Sequence, residues 1–232
     1  MNKEGHNQNI LLSYYRIRQL IGILGILLPV LVVYFYGGLL SSISHYYYTK
    51  SAVFFIIILS AFSLLLISYK GYPKDKKTEI LSDNLLTHIA GISALMVVLI
   101  PTDCSGTVNS GICEVCHYQL YGHNCSLLGN IHLIFAGLFL LVMGYMSIFR
   151  FTKGKHKLNN IIFIVSGILV WASILTIGVE ISLKKIFAIE YFSPYMVIIM
   201  ETVAVWSFGV SWLVKGRALR DIVRVFEKLK PK

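Results

Sequence analysis

Apolar residues run along this chain in six blocks, 20–36, 51–67, 85–100, 127–148, 161–179 and 193–214. Polar residues crowd into the short segments between them. Runs of this length, extended by flanking Tyr, Gly and Ser, match helices that cross ~30 Å of hydrocarbon. The pattern predicts an all-α polytopic membrane protein, a single integral domain built as a bundle of six transmembrane helices. Pro29 is expected to kink the first helix. Gly71 and Pro73 should stop the second, and Asp83 is a good residue for the start of the third, which closes at Pro101. Gly22 and Gly25 are three apart, not the four of the small-xxx-small motif, so no dimer seam is read there.

Composition agrees with the pattern. Of 232 residues, 56% are hydrophobic and 14% charged, and the mean hydropathy is +0.71. A soluble domain of this size is less apolar. The net charge of +10 raises the question of nucleic acid, and its distribution answers it. With the N-terminus inside, six spans place 18 of the 21 Lys and Arg on the cytoplasmic side and leave Lys50, Lys184 and Lys185 outside. That is the positive-inside bias of an inner (cytoplasmic) membrane protein with both termini cytoplasmic. The expected partner of the basic charge is therefore anionic lipid and no nucleic acid.

Residues 1–9 are polar and expected to be mobile. Residues 11–19 read as an interfacial lead-in to a retained first span. The competing reading is a signal peptide, but no A-x-A cleavage site follows. Within 215–232, Ala218, Leu219, Ile222, Phe226 and Leu229 share one helical face and Arg217, Arg220, Arg224 and Lys228 another. This predicts a basic amphipathic helix lying on the cytoplasmic leaflet.

The chemistry-bearing residues stand out against the apolar background. His132 lies just inside the fourth block and Glu201 inside the sixth, ~6 Å and ~10 Å deep at 1.5 Å per residue. Asp103 follows the third block. Ionisable groups at such depth are costly unless they face protein or water. They are read as sharing a polar pocket in the outer leaflet, with His132 and Glu201 paired. The positive end of the fourth helix's dipole disfavours an imidazolium at His132. The first outer loop, 37–50, carries Ser41, His45 and three consecutive tyrosines. It reads as an interfacial aromatic belt, or alternatively as a roof over the pocket. His88 is a packing histidine in this reading. Glu180 lies within reach of Lys184 and Lys185.

Residues 103–130 form an extracytoplasmic loop with no Lys or Arg and all four cysteines, Cys104, Cys113, Cys116 and Cys125. In an oxidising compartment paired disulfides are the default. A nested pairing, Cys104 with Cys125 and Cys113 with Cys116, is preferred among the three possible. Cys113-Glu-Val-Cys116-His117 also spells the attachment pattern for c-type haem, and a Cys/His metal site is a third reading.

Several stretches carry a resemblance: Ser42-Ile-Ser-His45-Tyr-Tyr-Tyr-Thr49, Ser68-Tyr-Lys-Gly-Tyr72, Pro101-Thr102, His132-Leu-Ile-Phe-Ala-Gly137, and Glu201 to Gly216 with its Val-Trp-x-Phe-Gly-x-Ser-Trp core. Together they resemble a family of uncharacterised six-helix bacterial inner-membrane proteins. That resemblance implies a fold and a location and carries no activity; the cysteine loop looks like an addition to it. Ser41 and His45 also have the Ser-x3-His spacing of the alkaline ceramidase superfamily of zinc-dependent membrane hydrolases. Asp103 would supply that family's acid. Its late His-x3-His is absent here, as is its seventh span, so the zinc ligands would have to be His45, His132 and Glu201.

Three functions follow. The first is a protein binding a lipid headgroup or other small amphipathic molecule in the outer-leaflet pocket. There Ser41, His45, Asp103, His132 and Glu201 are the candidate contacts. The second is a zinc-dependent lipid hydrolase in the same pocket, with His132, Glu201 and Asp103 as candidate catalytic groups and a metal-bound water as nucleophile. The third is a haem or redox protein working through the cysteine loop. A transporter is disfavoured by the absence of repeats and broken helices.

Overall fold

The structure is a computed structural model that describes residues 3–71, 81–104, 121–123, 125–187 and 193–218. Among these residues the fold is all-α, with no strand. The long helices are α1 (Lys3–Tyr36), α2 (Ala52–Ser68), α3 (Asp83–Leu99), α4 (Ser126–Tyr145), α5 (Lys157–Ser182) and α6 (Met196–Lys215). A 3-10 turn, Ile43–Tyr48, lies between α1 and α2. The last turns of α4 and α5 pass into π-helical segments, Met146–Arg150 and Leu183–Phe187.

Four helical stretches, Ser13–Tyr36, Ser126–Lys153, Lys157–Ser182 and Met196–Lys215, are long and apolar enough to cross a membrane. Helices α2 and α3 are apolar but shorter, 17 residues each. Several helix limits differ from expectation. Helix α1 begins at Lys3 and runs unbroken through Pro29, so the polar lead-in is helical. Its ring has no N–H to offer, yet the flanking turns continue the ladder, as membrane helices allow. The fifth helix runs past Glu180 to Ser182. The C-terminal amphipathic helix expected after Ala218 lies outside the described residues.

Each helix packs against its neighbours in the chain, and α6 returns against α1, so the six close into a ring. Because consecutive helices pack side by side, their ends gather at two faces of the ring. The centre of the ring is aromatic. Phe62, Phe139 and Phe208, from α2, α4 and α6, meet edge to face with centroids 5.1 to 6.0 Å apart. The α1–α6 seam closes on glycines. A Cβ on Gly22 would stand 2.7 Å from the Gly209 carbonyl oxygen, and one on Gly209 would stand 2.9 Å from that of Gly22. The three-residue spacing of Gly22 and Gly25 hid this contact, because the partner glycine lies on another helix.

Every helix turns large apolar side chains outward. Ile57 and Leu64 on α2 are 61% and 58% exposed, and Ile92 on α3 is 51% exposed. Leu27, Ile134, Ile168 and Ile199 continue this apolar surface around the ring.

The two faces differ in chemistry. One, the basic face, gathers Arg18, Arg150, Lys215 and Arg217. Here Arg150 forms an ion pair with Asp83, and both side chains are 5% exposed. Arg18 donates from Nε and Nη2 to the Tyr69 hydroxyl at 3.1 and 2.8 Å. Burial raises the Tyr69 hydroxyl pKa against the pull of Arg18, so Tyr69 stays a phenol. At the start of α3, Ser82 caps the helix by accepting from the Leu85 N–H, one residue before the expected Asp83. Asp83 is thereby free to turn inward to Arg150. His88 bonds to the Asn84 carbonyl, a local packing role.

Candidate functional site

The opposite face is closed by the segment from Gly37 to Ser51. It does not lie on the surface as an aromatic belt. Tyr46, Tyr47 and Tyr48 are 0%, 2% and 0% exposed. Buried phenols need hydrogen-bond partners, and the Tyr46 and Tyr48 hydroxyls find theirs in backbone carbonyls. Tyr46 donates to the Gly38 carbonyl at 2.8 Å and accepts from the Leu40 N–H. Tyr48 donates to the Thr102 carbonyl at 2.5 Å, and burial pushes its pKa up to about 12, which keeps it a donor. The segment is a plug seated in the mouth of the ring.

Polar groups from α4 and α6 hold this plug. At its centre is Ser42-Ile43-Ser44. Glu201 of α6 accepts from the Ser42 hydroxyl at 2.9 and 3.0 Å and from the Ile43 N–H at 2.6 Å. Ser42 in turn accepts from the Ser44 N–H, capping the 3-10 turn. One turn earlier on α6, the Ile198 N–H donates to the Ser41 carbonyl at 3.0 Å. That N–H lies in the first turn of α6, where helix geometry leaves donors without intrahelical partners.

His132 of α4 binds the same segment from the other side. Its Nε2 lies 2.9 Å from the Ser44 hydroxyl and its Nδ1 lies 2.7 Å from the Ile100 carbonyl at the end of α3. A carbonyl only accepts, so Nδ1 carries the hydrogen and, in the neutral ring, Nε2 accepts from Ser44. His45 bonds through Nδ1 to Ser41 at 2.8 Å. Burial lowers its pKa to about 4, with Asp103 opposing the shift and His132 adding to it. Asp103 packs on the first turns of α4: its Oδ2 would lie only 2.4 Å from a Cβ at Gly129.

His132 and Glu201 therefore converge on one tripeptide without bonding to each other. The expected direct pair is replaced by a relay through Ser42 and Ser44. The proposed zinc set does not assemble either. His45, His132 and Glu201 are each turned to a different partner. Among the described residues no three His, Cys, Asp or Glu side chains are placed to share a metal ion. The cause is the plug itself, whose backbone and hydroxyls occupy the space between the groups.

Beneath the plug lies a cavity of about 60 Å³ inside the ring. Ser44 and Glu201 stand at its polar end; Leu28, Phe55, Val97 and Phe139 are among its apolar walls. A single water needs ~10–15 Å³ and several polar partners. This space is larger than that and mostly apolar.

The cysteine loop gives one correction. Cys125 is a free, exposed thiol, so it is not paired with Cys104. Cys104 is buried, is not a free thiol, and donates its N–H to the His123 carbonyl at 3.1 Å. Cys113, Cys116 and His117, and with them the haem-attachment pattern, lie outside the described residues. His123 was not singled out from the sequence. It donates through Nε2 to the Pro101 carbonyl at 2.8 Å and accepts from the Cys125 N–H, tying the start of α4 to the end of α3. On α5, Glu180 pairs with Lys184 at 3.3 Å.

No family model, curated protein or solved structure matches this chain.

Proposed function

We propose that the protein is a multi-pass protein of the bacterial inner membrane, with all six helices spanning. Its ring and plug would hold a small amphipathic molecule, such as a lipid, at the outer leaflet. The observation that carries this reading is the cavity under the plug. A carboxylate and a serine hydroxyl meet at one end of an otherwise apolar space, the arrangement that suits a molecule with a polar head and an apolar tail. The apolar outer surface of α2 and α3 supports six spans, since ~26 Å of helix at 1.5 Å per residue approaches the thickness of the hydrocarbon core. The charge bias along the sequence supports an outer position for the plug. Hydrolysis is the weaker reading, because His132 and Glu201 are committed to the plug and no metal-binding set is formed among the described residues.

The test is native mass spectrometry of protein extracted in mild detergent, comparing the parent with a cavity-filling Ala94→Phe variant. A retained amphiphile that is lost in the folded variant is the expected result. No retained amphiphile, or one retained equally by both proteins, overturns the reading.

A further inference from the structure

Two of the residues lining the cavity under the plug carry polar side chains, Ser44 and Glu201. The hydrogen-bonding positions they have already used determine what the head of a ligand must offer.

A carboxylate has two oxygens and about four acceptor sites. Oε2 of Glu201 accepts from the Ser42 hydroxyl at 3.0 Å and from the Ile43 N–H at 2.6 Å, whereas Oε1 accepts from Ser42 alone, at 2.9 Å. One acceptor site on Oε1 is therefore left over. Both partners are neutral, so these bonds supply no counter-ion. Among the described residues Glu201 interacts with Ser42 and Ile43 and forms no ion pair. Basic groups elsewhere in the ring have other carboxylates: Arg150 pairs with Asp83, and Lys184 with Glu180. Lys50 is exposed. The sequence stretches that adjoin this face, 105–120 and 188–192, contain no Lys or Arg.

The Ser44 hydroxyl has one hydrogen to give. Nδ1 of the neutral His132 ring donates to the Ile100 carbonyl, so Nε2 accepts, and the Ser44 hydrogen goes to it. What Ser44 has left for the cavity is lone pairs. His132 is in this respect a positioning residue: it sets the direction of the hydroxyl without lining the space.

The polar end of the cavity is thus all acceptor, and it carries a negative charge. An anionic head is repelled there, and a carbonyl or ether brings no hydrogen. A hydroxyl brings one donor and no charge. A primary ammonium brings three donors and the missing counter-charge, and hydrogen bonds between ions are roughly twice as strong as neutral ones. The counter-charge matters because a carboxylate among apolar walls is costly until it is paired. Size sets a further limit. At ~10–15 Å³ for each water-sized group, the cavity of about 60 Å³ takes roughly four to six such groups. That is an ammonium and a short length of chain, and walls such as Leu28, Phe55, Val97 and Phe139 require the chain to be apolar.

We propose that the cavity under the plug binds a primary alkylammonium, its N–H donors shared between Glu201 and Ser44 and its chain laid along the apolar walls. This rests on the reading above, that the cavity holds an amphiphile, and adds the chemistry of the head. The amine can be a soluble short-chain amine or the head of a single-chain amphiphile drawn from the membrane. The two sources share their chemistry and differ in chain length.

The experiment uses the full chain in neutral detergent. Calorimetry compares butylammonium chloride, butanol and sodium butyrate, whose tails are alike and whose heads are not. Butylammonium should bind about tenfold more tightly than butanol, and butyrate should not bind. In Glu201→Gln, which keeps a carbonyl for Ile43 and loses the charge, the advantage of butylammonium over butanol should disappear. Should that variant fail to fold, the three heads on the parent protein decide the matter. Extending the series to hexylammonium and dodecylammonium separates the sources: an affinity that stops rising at hexyl identifies the soluble amine, and one that rises to dodecyl identifies the amphiphile. Equal binding of butylammonium and butanol, or no binding of butylammonium, overturns the proposal. So does butylammonium binding that is unchanged in a folded Ala94→Phe protein, since the ligand then lies elsewhere. The two readings fail separately. An amphiphile that the parent retains, that Ala94→Phe loses and that carries no amine overturns the ammonium and leaves the pocket standing.

Discussion

The Ile43 N–H points at the Glu201 carboxylate, 2.6 Å away across 158 residues of sequence. This bond joins the start of the 3-10 turn in the plug to the second turn of α6. Because the Ser42 hydroxyl donates to the same carboxylate, one side chain satisfies two donors that the loop cannot satisfy internally. Removing it by Glu201→Ala should cost ~1–3 kcal/mol, the penalty of stranding buried donors. Glu201→Gln, which keeps a carbonyl for Ile43, should cost less. Thermal melting in detergent compares the two; equal losses would show that the side chain contributes bulk rather than hydrogen bonds.

His45 makes the plug sensitive to acid. Folded, it takes up a proton only near pH 4, because burial lowers its pKa from 6.5. Unfolded, it takes one up near 6.5. Between those values the unfolded chain binds more protons, so stability must fall as pH falls. The contribution is complete above about 6.5 and is lost progressively down to about 4. Melting temperature should therefore drop between pH 7 and pH 4.5, and His45→Gln should flatten the drop.

The glycine contact between α1 and α6 closes the ring. Gly22→Ala puts a methyl group 2.7 Å from the Gly209 carbonyl oxygen, so the two backbones must separate. Overpacking of this kind costs ~1–3 kcal/mol. Ala at an open position, Gly137, meets nothing within 4 Å and should be neutral or slightly stabilising. Denaturation of the two variants side by side tests the seam.

Asp83 and Arg150 are both buried, and their ion pair ties α3 to the π-helical end of α4. Asp83→Asn leaves the guanidinium without its carboxylate, a loss of about 3–5 kcal/mol in buried pairs. Replacing both, as Asp83→Asn with Arg150→Met, should cost less than the sum of the single changes. Additive losses would mean that the two side chains act separately.

Cys125 offers a direct reading of orientation. As a free, exposed thiol at the start of α4, it should react with a membrane-impermeant maleimide added to spheroplasts. Mass spectrometry should place the label on residue 125, and Cys125→Ser should remove it. Labelling only after the membrane is opened would reverse the proposed topology.

Hydropathy alone determined the helical class of this chain and the approximate limits of its long elements, because an apolar run of some twenty residues has few alternatives to a buried or lipid-facing helix. It also marked His132 and Glu201 as residues needing partners, since charge and apolar surroundings are incompatible without them. Tertiary structure decided what those partners are. Hydrogen-bond direction, and the fold of a loop 88 and 159 residues away from them, turned both side chains toward Ser42, Ile43 and Ser44 instead of toward each other. The same holds for the three buried tyrosines, for the Gly22–Gly209 contact and for the free thiol at Cys125. Each depends on which distant residue comes near, and a one-dimensional pattern records what a residue needs without recording who supplies it.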